Sequence, residues 1–120
     1  SMLDSSLPLT VTEYDEWGDP ATDPEAYATI AAYAPYENVT EQRYPRILAE
    51  TSLNDTRVLY VEPAKWVAKL RATAADHRPD VLLRTEMAAG HGGVSGRYKS
   101  WHDRAFTLAW MLDRMGLAGA

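Results

Sequence analysis

Cysteine is absent from all 120 residues, which excludes a disulfide framework, a zinc–thiolate site and a thiol nucleophile. The absence is compatible with a reducing compartment. No apolar run approaches the roughly 20 residues needed to span a bilayer, and the first residues lack the basic-then-apolar pattern of a secretory signal. The expectation from these absences is a soluble, cytoplasmic protein. Positive charge is also short. Against 17 Asp and Glu stand only 12 Lys and Arg, a net charge of −5, which disfavours nucleic acid and anionic membrane as partners and is compatible with a cationic substrate. The 3 histidines do not pair at ligand spacing on any one element, so neither a metal site nor a cofactor is expected. Repeats and low-complexity tracts are missing as well. What is present suits one globular domain, with a hydrophobic content of 46%.

Along the chain, residues 1–23 read as polar and irregular, with an acidic cluster Glu13-Tyr14-Asp15-Glu16 and a Trp17-Gly18-Asp19-Pro20 turn. Asp23-Pro24-Glu25 opens a helix: Asp can cap it, Pro is tolerated at its first position and Glu favours its positive end. Tyr27, Ile30 and Ala31 share a face of it, and Pro35 stops it. Residues 44–52 form the first strand candidate. Glu62-Pro63 begins the next helix, with Trp66, Val67, Leu70 and Ala74 at helical spacing and Pro79 at its end. A second strand is predicted over 81–87, then a loop over 88–96. A last helix runs to about Met115, with Tyr98, Trp101, Ala105, Leu108, Ala109 and Leu112 on a stripe expected to be core, and Gly116 suits its C-terminal cap. The four tryptophans, spread among different segments, read as packing residues.

The predicted order is helix, strand, helix, strand, helix. Strands separated by helices pair in parallel through crossovers, so the fold class is α/β. Two parallel strands are few for a sheet that is normally buried on both faces. The pattern therefore reads as part of a larger α/β domain.

Two loops carry the candidate chemistry. Glu86-Met87-Ala88-Ala89-Gly90-His91-Gly92-Gly93 places a histidine in a glycine-rich loop after the second strand, and Asn54-Asp55-Thr56-Arg57 follows the first. An acid after one strand and a histidine after the next is the order in which α/β-hydrolases supply the second and third members of a catalytic triad. The third, a serine in a Gly-x-Ser-x-Gly turn, is nowhere in the 120 residues.

Several segments in order and at similar spacing carry a resemblance: Leu7 to Pro20, Tyr33-Ala34-Pro35-Tyr36-Glu37-Asn38-Val39, Leu53 to Val58, Glu62 to Arg71, and Glu86 to Gly93. They closely resemble the oligopeptidase B branch of the prolyl oligopeptidase family of serine peptidases. The resemblance implies that residues 3–120 are the C-terminal part of an α/β-hydrolase peptidase domain, with the nucleophile and a β-propeller upstream. It implies that Asp55 is the triad acid and His91 the triad base. Arg57 would hold a substrate carbonyl, and Glu13 and Asp15 would receive the basic side chain, Arg or Lys, before the scissile bond. The family usually has glutamate at the position of Asp15, proline at those of Thr56 and Leu59, and tryptophan at that of Val61.

Each residue also has a plainer reading. His91 alone would be a solvated loop histidine, Asp55 a turn former or helix cap, Arg57 a surface ion-pair partner, and the Glu13–Glu16 cluster a solvated acidic loop. His77 sits near a predicted helix end, whose negative pole it would favour. Gly90-x-Gly92 lacks the third glycine and the Gly-Lys-Ser of phosphate loops. The alternative to a peptidase segment is a non-catalytic α/β fragment acting through binding or complementation with a partner chain. Without a nucleophile the chain alone is expected to be inactive, and its open strand edges are expected to make it self-associate.

Overall fold

The computed structural model describes residues 2–76, 80–93 and 95–119. Its elements are α1 (Tyr14–Trp17), α2 (Pro24–Tyr33), β1 (Ile47–Ser52), α3 (Val61–Thr73), β2 (Val81–Glu86) and α4 (Arg97–Arg114), with a single 3-10 turn at Val11–Glu13 before α1. From α2 onward this is the helix–strand–helix–strand–helix order of the sequence. The strands pair in parallel, Ile47 opposite Val81 through Ser52 opposite Glu86, so both end at the same edge. The first 23 residues are less irregular than expected, since Val11 to Trp17 is helical. β1 starts at Ile47 rather than at Tyr44, whose hydroxyl instead donates to the Thr40 carbonyl at 3.1 Å.

Local chemistry explains the helix ends. Asp23 accepts the Glu25 N–H at 2.9 Å and Pro24 occupies the first helical position of α2. α3 ends at Thr73, several residues before Pro79, which lies with His77 outside the described residues. At the end of α4, Gly116 takes φ 74°, its N–H donates to the Asp113 carbonyl, and Leu117 N–H donates to Leu112. This is the Schellman pattern, and only glycine adopts that φ without strain.

The core is small. Val39, Val67, Leu70 and Val81 are buried, with Tyr44, Ile47, Ala49, Trp66 and Leu83 packed around them. Strand alternation puts Ile47, Ala49, Val81 and Leu83 on the face covered by α3. Leu48, Glu50, Leu82 and Arg84 fall on the other face, toward α4. There the sequence reading needs correction. Tyr98, Trp101, Ala105, Leu108, Ala109 and Leu112 are all exposed, and α4 has no buried residue. The half-buried side of α4 is Asp103, Thr107, Trp110 and Arg114, spaced i, i+4, i+7 and i+11. Arg84 bonds Asp103 and Glu50, Thr107 Oγ1 donates to Glu50 at 2.9 Å, and Arg114 pairs with Asp80 at 2.7 Å. The sheet face toward α4 carries Glu50 and Arg84, so the polar side of the helix docks and the apolar stripe is left outside. Burial opposes the Arg84 charge, but the bonds to Glu50 and Asp103 outweigh it and raise its pKa. Trp66 and Trp110 are half-buried as packing residues, whereas Trp17 and Trp101 are exposed.

Candidate active site

Because β1 and β2 are parallel and in register, the loops that follow them leave side by side. Leu53 N–H donates to the Glu86 carbonyl at 2.8 Å, continuing the ladder by one residue. Two residues on, Asp55 folds the first loop over itself: its Oδ1 accepts the N–H groups of Arg57 and Val58, each at 2.9 Å. That is an Asx turn. The turn commits one carboxylate oxygen and aims the other, Oδ2, at His91 Nδ1, 2.8 Å away. The turn-forming and pairing readings of Asp55 thus describe its two oxygens.

His91 stands at the tip of a tight turn, in which Gly93 N–H donates to the Gly90 carbonyl at 3.0 Å and Gly93 takes φ 74°. The Asp55 side chain is 10% exposed and that of His91 49%. The backbone N–H of Val58 is the main influence lowering the Asp55 pKa; burial opposes it, and His91 and the Arg57 N–H add to the lowering. An ionised carboxylate only accepts, so the proton of a neutral His91 must sit on Nδ1. Nε2, the nitrogen not bonded to Asp55, then keeps its lone pair on a half-exposed ring, the tautomer a general base needs. A cleft of about 540 Å³ opens beside the pair, lined among others by Ser52, Asp55, Arg84, Gly90 and His91.

The remaining candidates divide. Glu13 and Arg57 line a smaller cleft of about 110 Å³ with Val58, which also lines the larger one, so the two clefts adjoin. Asp15 is exposed on α1 and is not part of that lining. In a helical segment, residues two apart point roughly 200° from each other, so Glu13 and Asp15 do not form a side-by-side pair. Among the described residues no three His, Cys, Asp or Glu side chains gather as a metal site, and no helix is long and apolar enough to cross a membrane.

Two side chains that the sequence reading gave no role stand directly behind the site. Ser52, 6% exposed, donates through its hydroxyl to the Ala89 carbonyl. Asn54 Nδ2 donates to the Met87 carbonyl at 3.2 Å. The available signal was two small polar residues at the loop end of the first strand, Ser52 as its last residue and Asn54 just before the acid.

Comparison with known proteins gives a consistent set of likenesses. Residues 1–118 match the prolyl oligopeptidase family. Protease 2 of Moraxella lacunata is 46% identical over 117 residues, covering 98% of this chain and 17% of its own length. Dipeptidyl aminopeptidase BI of Pseudoxanthomonas mexicana is 47% identical over 118 residues, covering 98% and 16%. Among solved structures, oligopeptidase B from Leishmania major superposes with a TM-score of 0.90 at 40% identity, covering 97% of this chain and 16% of that one. Oligopeptidase B from Trypanosoma brucei with covalently bound antipain, in its closed form, gives 0.89 at 38% identity, covering 96% and 16%. The chain therefore spans about a sixth of the length of the curated relatives it matches.

Proposed function

Because this chain belongs to the prolyl oligopeptidase family of peptidases, we propose that it supplies the acid and base of a serine-type peptidase site. The observation that carries this reading is the 2.8 Å bond from Asp55 to His91 Nδ1, which leaves Nε2 as the basic nitrogen at an open cleft. In the proposed mechanism His91 Nε2 takes the proton from a serine hydroxyl as it attacks the peptide carbonyl. Asp55 holds the imidazolium that forms, and the proton then passes to the leaving amine. The antipain bound covalently to the Trypanosoma brucei relative is in keeping with a nucleophile of this kind. Since no Gly-x-Ser-x-Gly turn occurs in the sequence, the 120-residue chain alone turns over no peptide.

Substrate choice follows from the adjoining cleft. Glu13 attracts an Arg or Lys side chain on the acyl side of the cut and carries the larger share of that preference. Asp15, facing elsewhere, carries the smaller share, and Arg57 holds a substrate carbonyl. One set of variants in a peptidase containing this segment separates these roles. Asp55→Asn is expected to lower kcat by about 10⁴-fold, with the preference for Arg over a matched apolar residue unchanged. Glu13→Gln is expected to remove most of that preference, and Asp15→Asn little of it. Full kcat in Asp55→Asn would end the triad reading. An unchanged preference in the double variant of Glu13 and Asp15 would leave the cluster a solvated helical segment with no part in substrate choice.

The alternative of binding or complementation has its own support. The chain's radius of gyration is 17.0 Å, against ~14 Å for a compact chain of this length. Its surface of 8670 Å² exceeds the ~6,500 Å² of a compact monomer of this mass. The excess lies partly on the α4 stripe and is sufficient for pairing with another chain.

A further inference from the structure

The Asp55 and His91 loops are joined by more than the bond between the two side chains. Leu53 N–H takes the Glu86 carbonyl at 2.8 Å, Asn54 Nδ2 takes that of Met87 at 3.2 Å, and the Ser52 hydroxyl takes that of Ala89. Three consecutive residues before the acid thus hold three of the four carbonyls at the root of the histidine turn. The loops also touch: a Cβ built on Gly90 would lie 3.3 Å from the Asn54 carbonyl oxygen, closer than most neighbours tolerate, so glycine permits the approach. Ser52 is buried, and its Oγ also lies 3.4 Å from the Glu86 carbonyl. No other side chain among the described residues donates to the carbonyls of Met87 or Ala89.

We propose that Ser52 and Asn54 are positioning residues: they pin the 87–90 segment so that His91 presents Nδ1 to Asp55 and keeps Nε2 outward. The proposal rests on the reading of Asp55 and His91 as an acid–base pair. It concerns how the pair is held rather than what it does. Two unconstrained loops would let the imidazole swing and sample both tautomers. Fixing the root of one loop to the other removes that freedom, as second-layer hydrogen bonds do for other functional histidines.

The test needs no turnover. Nitrogen spectra of the histidine-labelled 120-residue chain, taken where His91 is neutral, report its ratio of Nδ1–H to Nε2–H forms, with His91→Gln giving the assignment. Wild type and Ser52→Thr, which keeps the hydroxyl, should show the Nδ1–H form dominant. Ser52→Ala and Asn54→Ala should each lower the ratio about fivefold, the equivalent of one hydrogen bond's net contribution. Methyl signals of Val67, Leu70 and Val81 should stay in place. If Ser52→Ala unfolds, the exposed Asn54 decides the matter. Unchanged ratios in the folded Ala variants, or an equal fall in Ser52→Thr, would overturn the positioning role. A wild type that is mainly Nε2–H would instead refute the pairing itself, and with it the reading on which the inference rests.

Discussion

At the scale of single residues, Asp55 is the point where sequence and structure agree most closely. Its motif was legible because the chemistry is local: an Asp can close an Asx turn on the N–H groups two and three residues on without help from the rest of the fold, as Asp55 does. The partnership with His91, 36 residues away, was legible only through the strand order that sets the two loops side by side. Glu13 and Asp15 were less readable, because their relation depends on a helical turn in a stretch whose composition suggests loop. The lowered pKa of Asp55 also fixes a pH response. A carboxyl whose folded pKa lies below its ordinary value of 3.8 contributes stability that is complete above that value. The contribution is lost as pH falls through the lower, folded value. Asp55→Asn should therefore be less stable than wild type in urea at pH 7, and the gap should close in the acid range below about pH 4. An equal gap at both pH values would mean that shape rather than charge holds the turn.

At the scale of elements, α3 and α4 are opposites. Both show an apolar face in the sequence, but only that of α3 meets an apolar sheet face. Strand alternation held the clue: Leu48-Glu50-Ser52 and Leu82-Arg84-Glu86 form a half-polar face that cannot receive the stripe of α4. Helical spacing shows that a helix has two sides, and the partner decides which side is in. The energetic consequence is a large asymmetry. Leu70 is fully buried at 0% exposure, so Leu70→Ala should cost about 2–5 kcal/mol in denaturant unfolding. Leu112→Ala, exposed on α4, should stay within roughly 0.5 kcal/mol. A comparable loss at Leu112 would place the α4 stripe in a buried environment in solution.

At the scale of the whole molecule, the extents of 54 × 39 × 20 Å describe a slab with one small core on one side of a two-strand sheet. Among the described residues each strand keeps an edge that no other strand pairs, and such edges template pairing with other chains. Sedimentation of the isolated chain over a wide concentration range should show self-association that grows with concentration. A compact monomer throughout would show that the core around Leu70 suffices by itself. The two sides of α4 also respond in opposite directions to added salt. Its inner side is held by Arg84 with Asp103 and Arg114 with Asp80, all about one-third exposed, so ionic strength partly screens that hold. Its outer side is apolar, and salting-out anions such as sulfate strengthen contacts of that kind. Raising sulfate thus loosens the helix from its own sheet while making its other face stickier, and the ionic medium decides whether α4 belongs more to its own fold or to a neighbour's.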